Sequence, residues 1–356
     1  MFSRRHALKT ALSGLVAASA NSALAASGAG FDRPAIYGAA VRPGLIDTDA
    51  DYSRALRTYC AAIVPEGGLL WNDLRPDQST FDFKAADDIA SFARSYDLAL
   101  RGHTLVWHGV MPAWTENLTT RPLAEAELMR HIATVVGRYR SRMDSWIVVN
   151  EPLTEDATVV TDLRPTIWQR TIGFDHLATA FQAAKATDPL ATLFINEYDV
   201  EYVGDRFRQK REAYTALIRK LLDRHVPIEG VGIQGHLRSN LDIDWRGLRQ
   251  FARDMHSLGL KLAVTELDVI DDQLPADIAA RDRRVSQFAH AFLSSLSEAE
   301  PLDSILTWGI TDKYTWVPTF YRRKDGASNR PLPLSDTYEP KPLMTVIAQF
   351  SKIPGY

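Results

Sequence analysis

A chain of 356 residues with 46% hydrophobic and 24% charged residues is too apolar for a disordered protein and lacks the bias of a collagen or a coiled coil. Its 41 basic and 44 acidic side chains leave a net charge of −3, which provides no broad attraction to nucleic acid. One cysteine, Cys60, excludes an internal disulfide framework and any site built on several thiolates.

The chain opens with basic residues (Arg4, Arg5, Lys9), an apolar stretch over 11–20 and the small-residue ending Ala23-Leu24-Ala25. This is the pattern of an export signal, because the apolar run is shorter than the ~20 residues a membrane-spanning helix needs. The paired arginines suit the twin-arginine route, which exports folded proteins, and a chain without disulfides suits folding before export. Residues 1–25 are therefore expected to be a signal and 26–356 a single catalytic domain. The exported protein is expected to be periplasmic or secreted, free of the membrane, and monomeric.

Downstream, short apolar runs rich in β-formers alternate with helical patterns. The predicted strands are 36–41, 60–65, 99–106, 145–150, 192–196, 230–235, 261–266 and 304–308. Between them, apolar residues recur three or four apart, as in Leu128, Ile132, Val135 and Tyr139, or Tyr214, Leu217, Ile218 and Leu221. Trp245, Leu248, Phe251, Met255 and Leu258 repeat the pattern, as do Phe288, Phe292 and Leu296. Parallel strands need helical crossovers that return on one hand, so eight such units predict an α/β fold of the (β/α)8 TIM-barrel type. An open doubly wound sheet fits less well, since no glycine-rich phosphate loop follows the first strand.

Barrel function gathers where strands end at their C-termini. Here those ends carry Glu66, then Arg101 to His103 and Trp107-His108, then Asn150-Glu151. Asn196-Glu197-Tyr198, Gln234-Gly235-His236, Thr265-Glu266-Leu267-Asp268 and Trp308 complete the series. Unpaired polar groups cost several kcal/mol to bury, so this many at strand ends must share a polar cavity. Glu151 and Glu266 end strands that face each other across an eight-stranded mouth. Two opposed carboxylates with no evident metal-ligand set suggest glycoside hydrolysis, and no cofactor is expected.

The segments 101–108 (RGHTLVWH), 148–152 (VVNEP), 232–237 (GIQGHL), 265–268 (TELD) and 307–316 (TWGITDKYTW), with the tail 336–342, occur in this order. Together they resemble glycoside hydrolase family 10, the retaining β-1,4-xylanase family, over nearly the whole chain after the signal. The resemblance implies an endo-acting hydrolase of xylan or a related β-glycan, working by double displacement on a polysaccharide or oligosaccharide substrate. It implies Glu151 as general acid/base and Glu266 as nucleophile. Asn150 is implied to bond the sugar 2-hydroxyl and His236 to bond Glu266. His103, Trp107 and Gln234, with Glu66, would line the site of the cleaved sugar and its neighbour. Trp308 and Trp316 would form the aromatic wall, and Tyr198 would stack beyond the scissile bond. The negative charge of Glu266 is expected to raise the pKa of Glu151.

The chain departs from the family pattern after the second strand. Gly67 and Leu70 stand where an asparagine and a lysine are usual, and Val317 follows Trp316 where arginine is common. These changes leave open a branched or uronic-acid-bearing polysaccharide, including a bacterial exopolysaccharide, as substrate. A β-1,4-glucanase, an exo-acting barrel glycosidase and a non-catalytic carbohydrate-binding protein are the other readings the sequence admits.

Overall fold

The computed structural model describes residues 34–356; the expected signal at 1–25 lies outside them. Ten strands form in chain order: β1 (Ala35–Val41), β2 (Ala62–Pro65), β3 (Ala99–Val106), β4 (Ser145–Asn150) and β5 (Thr192–Glu197), then β6 (Gly230–Ile233), β7 (His236–Arg238), β8 (Lys261–Ile270), β9 (Ser304–Thr307) and β10 (Ser351–Lys352). Each of β1 to β5 pairs in parallel with the next, β6 pairs with β8, β8 with β9, and β9 returns to β1. The sheet is therefore a closed eight-stave parallel barrel, the (β/α)8 fold expected from the sequence. The short β7 extends pairing along the outer half of β8, and β10 adds to the start of β1.

Strands covered on both faces are largely apolar, which explains the runs 62–65 and 146–149, every residue of which is buried. Helices wrap the barrel with one apolar stripe inward. Trp245–Ser257 buries Leu248, Phe251, Ala252 and Met255 and starts on Asp244, whose carboxylate accepts the Gly247 N–H at 2.9 Å. Each buried leucine of this kind contributes about 1.5–3 kcal/mol over an exposed one.

Four local expectations change. The run 230–235 breaks at Ile233, because Gly235 takes φ 76° and turns the chain before β7. The run 261–266 continues to Ile270, so Glu266 sits inside a strand and not at its end. Cys60 caps the helix Ala50–Tyr59 and is buried, whereas β2 begins at Ala62. Trp245, first in its helix, is 48% exposed although its pattern placed it with the core.

Candidate active site

The strand ends open into one cleft of ≈ 560 Å³. Glu66, His103, Trp107, Asn150, Glu151, Tyr198, Gln234, His236, Glu266, Trp308 and Trp316 all line it. The barrel thus brings every site residue expected from the sequence to one surface, together with Leu70, Glu155, Asp199, Arg206 and Arg238.

Glu266 is held by strand geometry. Its N–H donates to the Gln234 carbonyl at 2.8 Å, and the β8–β9 register shifts between Val264 and Leu267, a bulge that re-aims side chains at this level. Asn196 Nδ2 donates to Glu266 Oε1 at 2.8 Å, and His236 Nε2 lies 3.3 Å from Oε2. The other His236 nitrogen is 3.0 Å from Asp268 Oδ1, and Trp316 Nε1 donates to Asp268 Oδ2 at 2.7 Å. Burial disfavours the imidazolium, but the flanking Asp268 and Glu266 outweigh it and hold His236 well above the ordinary histidine range. A cation therefore sits between two carboxylates. His103, buried with no such partner in contact, is pushed the other way.

Glu151 lies just past β4 with φ 52°, a left-handed conformation that only its surroundings maintain in a non-glycine residue. Its N–H donates to the Asn196 carbonyl at 2.9 Å. Gln234 Nε2 and Asn150 Nδ2 donate to Oε1 at 2.9 and 3.2 Å, and His108 Nε2 meets Oε2 at 2.7 Å. Burial raises the Glu151 pKa, yet the hydrogen bonds from His108 and Gln234 and the charge of His108 prevail and lower it to about 2. This corrects the expected upward shift from Glu266: groups in direct contact outweigh a charge across the cleft.

Asn196 joins the two halves. Its Nδ2 reaches both Glu266 Oε1 and, at 2.8 Å, Asn150 Oδ1, while Thr265 Oγ1 donates to its Oδ1 at 2.7 Å. A Cβ at Gly232 would stand 2.1 Å from Asn196 Oδ1, so only glycine leaves room for this side chain. Asn196 was visible in the sequence only as one polar strand end among several, and His108 as the end of a motif with no assigned task. Glu197 at the same strand end does not face the cleft. It is buried, bonds the Leu153 N–H at 3.1 Å and pairs with Lys210 at 3.0 Å.

At the β2 side, Glu66 is tied to Arg42 at 2.9 Å and Leu70 presents an apolar side chain to the cleft. The β5–β6 side is polar and charged: Asp199 Oδ2 accepts from Arg206 at 2.9 Å, and Arg238 reaches its Oδ1. Among the described residues, no group of three His, Cys, Asp or Glu side chains is disposed to hold a metal ion.

Over residues 29–350 the chain matches the profile of glycosyl hydrolase family 10. It belongs to that family. It is accordingly an endo-acting, retaining glycoside hydrolase of the xylanase type. It is 34% identical over 286 residues to endo-1,4-β-xylanase 1 of Humicola insolens, covering 79% of this chain and 64% of that one. It is 32% identical over 320 residues to endo-1,4-β-xylanase B of Paenibacillus barcinonensis, covering 85% and 92%. Among solved structures, xylanase 10B from Thermotoga petrophila in complex with xylobiose superposes with a TM-score of 0.80 at 27% identity, covering 89% of this chain and 94% of that one.

Proposed function

We propose that Glu266 is the nucleophile and Glu151 the acid/base of a double displacement on β-1,4-linked xylan or a closely related β-glycan. The observation that carries this reading is the unbroken hydrogen-bonded path Glu266–Asn196–Asn150–Glu151, which binds both carboxylates to one rigid floor. In the first step a Glu266 oxygen attacks the anomeric carbon, the glycosidic C–O bond breaks, and the departing oxygen takes a proton from Glu151. In the second step Glu151, now anionic, removes a proton from water. The resulting hydroxide attacks the same carbon and expels Glu266, restoring the starting configuration.

The 2.7 Å contact between His108 and Glu151 gives the proton a place to wait. A hydrogen bond of that length is a path by which a proton can reach the carboxylate before it passes to the departing oxygen. Asn150 has an N–H left for the sugar 2-hydroxyl, because Nδ2 carries two and only one is given to Glu151, while its Oδ1 accepts from Asn196 and Gln234. Trp308 and Trp316 stand edge-on to His236, with centroids 6.3 and 5.0 Å away, as the wall of the same subsite.

A second reading concerns which chain is cut. Leu70 and Gly67 offer no side-chain hydrogen bond on the β2 side, which removes about 1–3 kcal/mol of directional binding per missing partner. A branched or uronic-acid-bearing glycan fits a cleft opened there. Export through residues 1–25 by the twin-arginine route, and a monomeric state, complete the proposal.

The test is to compare wild type with Glu266→Ala on plain xylan, glucuronoxylan, β-glucan and bacterial exopolysaccharide, sizing products by mass and reading their anomeric configuration by NMR. A ladder of β-configured oligomers from wild type alone is expected. Release of α-anomers, or of a single monosaccharide, overturns the mechanism or the endo mode. Family-typical rates on unsubstituted xylan overturn the substrate shift alone.

A further inference from the structure

Residues 152–164 leave the acid/base and come straight back to it. Leu153 and Leu163 form an antiparallel bridge, Thr154 N–H donates to the Asp162 carbonyl at 2.9 Å, and Arg164 N–H donates to the Pro152 carbonyl at 2.9 Å. The hairpin returns the Arg164 side chain, 14% exposed, beneath Glu151. There Nε donates to the Glu151 backbone carbonyl at 3.2 Å, and Nη2 lies 3.9 Å from Glu151 Oε2. The same Nη2 donates to the Tyr198 hydroxyl, with the guanidinium 5.6 Å from that ring's centroid. Its outer side lines a separate hollow of ≈ 370 Å³ shared with His108, Thr166 and Arg170.

We propose that Arg164 is a positioning residue for proton transfer. It clamps the carbonyl of Glu151, whose backbone sits in the left-handed region, and ties it to Tyr198 on the cleft wall toward β5. The planar fork of one guanidinium serves both contacts, a geometry an ammonium does not reproduce. The consequence is that the acid/base and the Tyr198 ring, which lines the cleft, move as one body. The inference rests on the assignment of Glu151 as acid/base.

Leaving-group dependence tests it. A 2,4-dinitrophenolate departs without protonation, whereas a sugar alkoxide needs the acid. For Arg164→Ala, kcat/KM on xylan or xylotetraose is expected to fall roughly 30–100-fold, the scale of a displaced catalytic group. On 2,4-dinitrophenyl β-xylobioside the fall is expected to stay within about threefold. Azide, which attacks without a general base, should raise kcat on the activated substrate and yield the β-glycosyl azide. Arg164→Lys should lie between wild type and Arg164→Ala on the sugar leaving group. Tyr198→Phe, which keeps the ring and removes the bonded hydroxyl, should show a smaller loss of the same selectivity. If Arg164→Ala does not fold, as judged by thermal unfolding, the Lys and Phe variants carry the comparison. Equal losses on both substrates, or none on either, overturn the inference. A wild type inert on both substrates overturns the functional reading itself and the inference with it.

Discussion

The two carboxylates proposed to carry the reaction are built on opposite principles. Glu266 lies within a ten-residue strand and is gripped by Asn196 and by the His236–Asp268–Trp316 relay, all formed from barrel strands or the loop after β9. Glu151 stands beyond its strand on a left-handed backbone, touches His108 on a half-exposed loop, and depends on a returning hairpin. A nucleophile must hold one trajectory, so rigidity serves it. An acid/base must gain and lose a proton in each cycle, so it needs a partner that can exchange one. The difference implies that mutations on the Glu266 side lower the rate at every pH, whereas those on the Glu151 side change its pH profile or its dependence on the leaving group.

The largest effect is expected at the proposed nucleophile. Glu266→Ala should lower turnover of glycan by roughly 10⁵–10⁶-fold, as loss of a covalent nucleophile does, with thermal stability little changed. Retained activity within tenfold of wild type would remove Glu266 from the reaction and dissolve the contrast. One step out, Asp268→Asn removes the anion that holds His236 charged and oriented. A loss of about 10²-fold in kcat is expected, uniform across leaving groups, because it displaces the nucleophile and not the proton donor. A loss that grows with leaving-group basicity would place the relay on the acid side.

The scaffold was far more legible in the sequence than these couplings. Strands such as Thr192–Glu197 and Ser304–Thr307 read clearly because parallel strands covered on both faces are apolar until they meet the mouth. The helix Asp175–Thr187 did not, since its inward stripe is mostly alanine (Ala178, Ala180, Ala184) around Leu177 and Phe181, and small side chains leave a weak periodic signal. Glu151 and Glu266 were legible as opposed strand ends. What was not legible depends on tertiary folding: the return of Arg164 by a hairpin, the room for Asn196 above Gly232, and the reach of His108 to Glu151. No local spacing encodes those contacts. The sign of the Glu151 shift failed for the same reason, because it is decided by which donors touch the carboxylate.

That sign can be tested directly. In His108→Ala the strongest lowering partner is gone and burial is less opposed, so the Glu151 carboxyl should titrate upward from about 2, read by ¹³C NMR of the labelled carboxyl. In wild type the depressed value adds stability that is present above pH 4.5 and lost as pH falls through about 2, and His108→Ala should flatten that acid dependence. A Glu151 that still titrates near 2 would transfer the effect to Gln234 and make the acid as rigidly held as the nucleophile.

The smallest effect concerns the floor that both halves share. Glu201 is buried beneath the turn that presents Gln234 and His236, with Oε1 accepting the Gly235 N–H at 3.3 Å and Oε2 unpartnered. Burial, reinforced by the charge of Asp199, pushes it up to about 7. Between pH 4.5 and 7 the folded protein holds a proton that the unfolded chain has released, so stability falls as pH rises through that window. The full shift is on the order of 3 kcal/mol. Glu201→Gln keeps the acceptor for Gly235 and removes the titration. It should therefore raise stability by about 1–3 kcal/mol at pH 8 and change it little at pH 4, measured by denaturant unfolding at both values. An equal change at the two pH values would show that Glu201 is not the group behind the decline. The pH dependence of the shared floor would then have to be sought in the imidazolium of His236, whose stabilisation is likewise lost as pH rises, through a higher range.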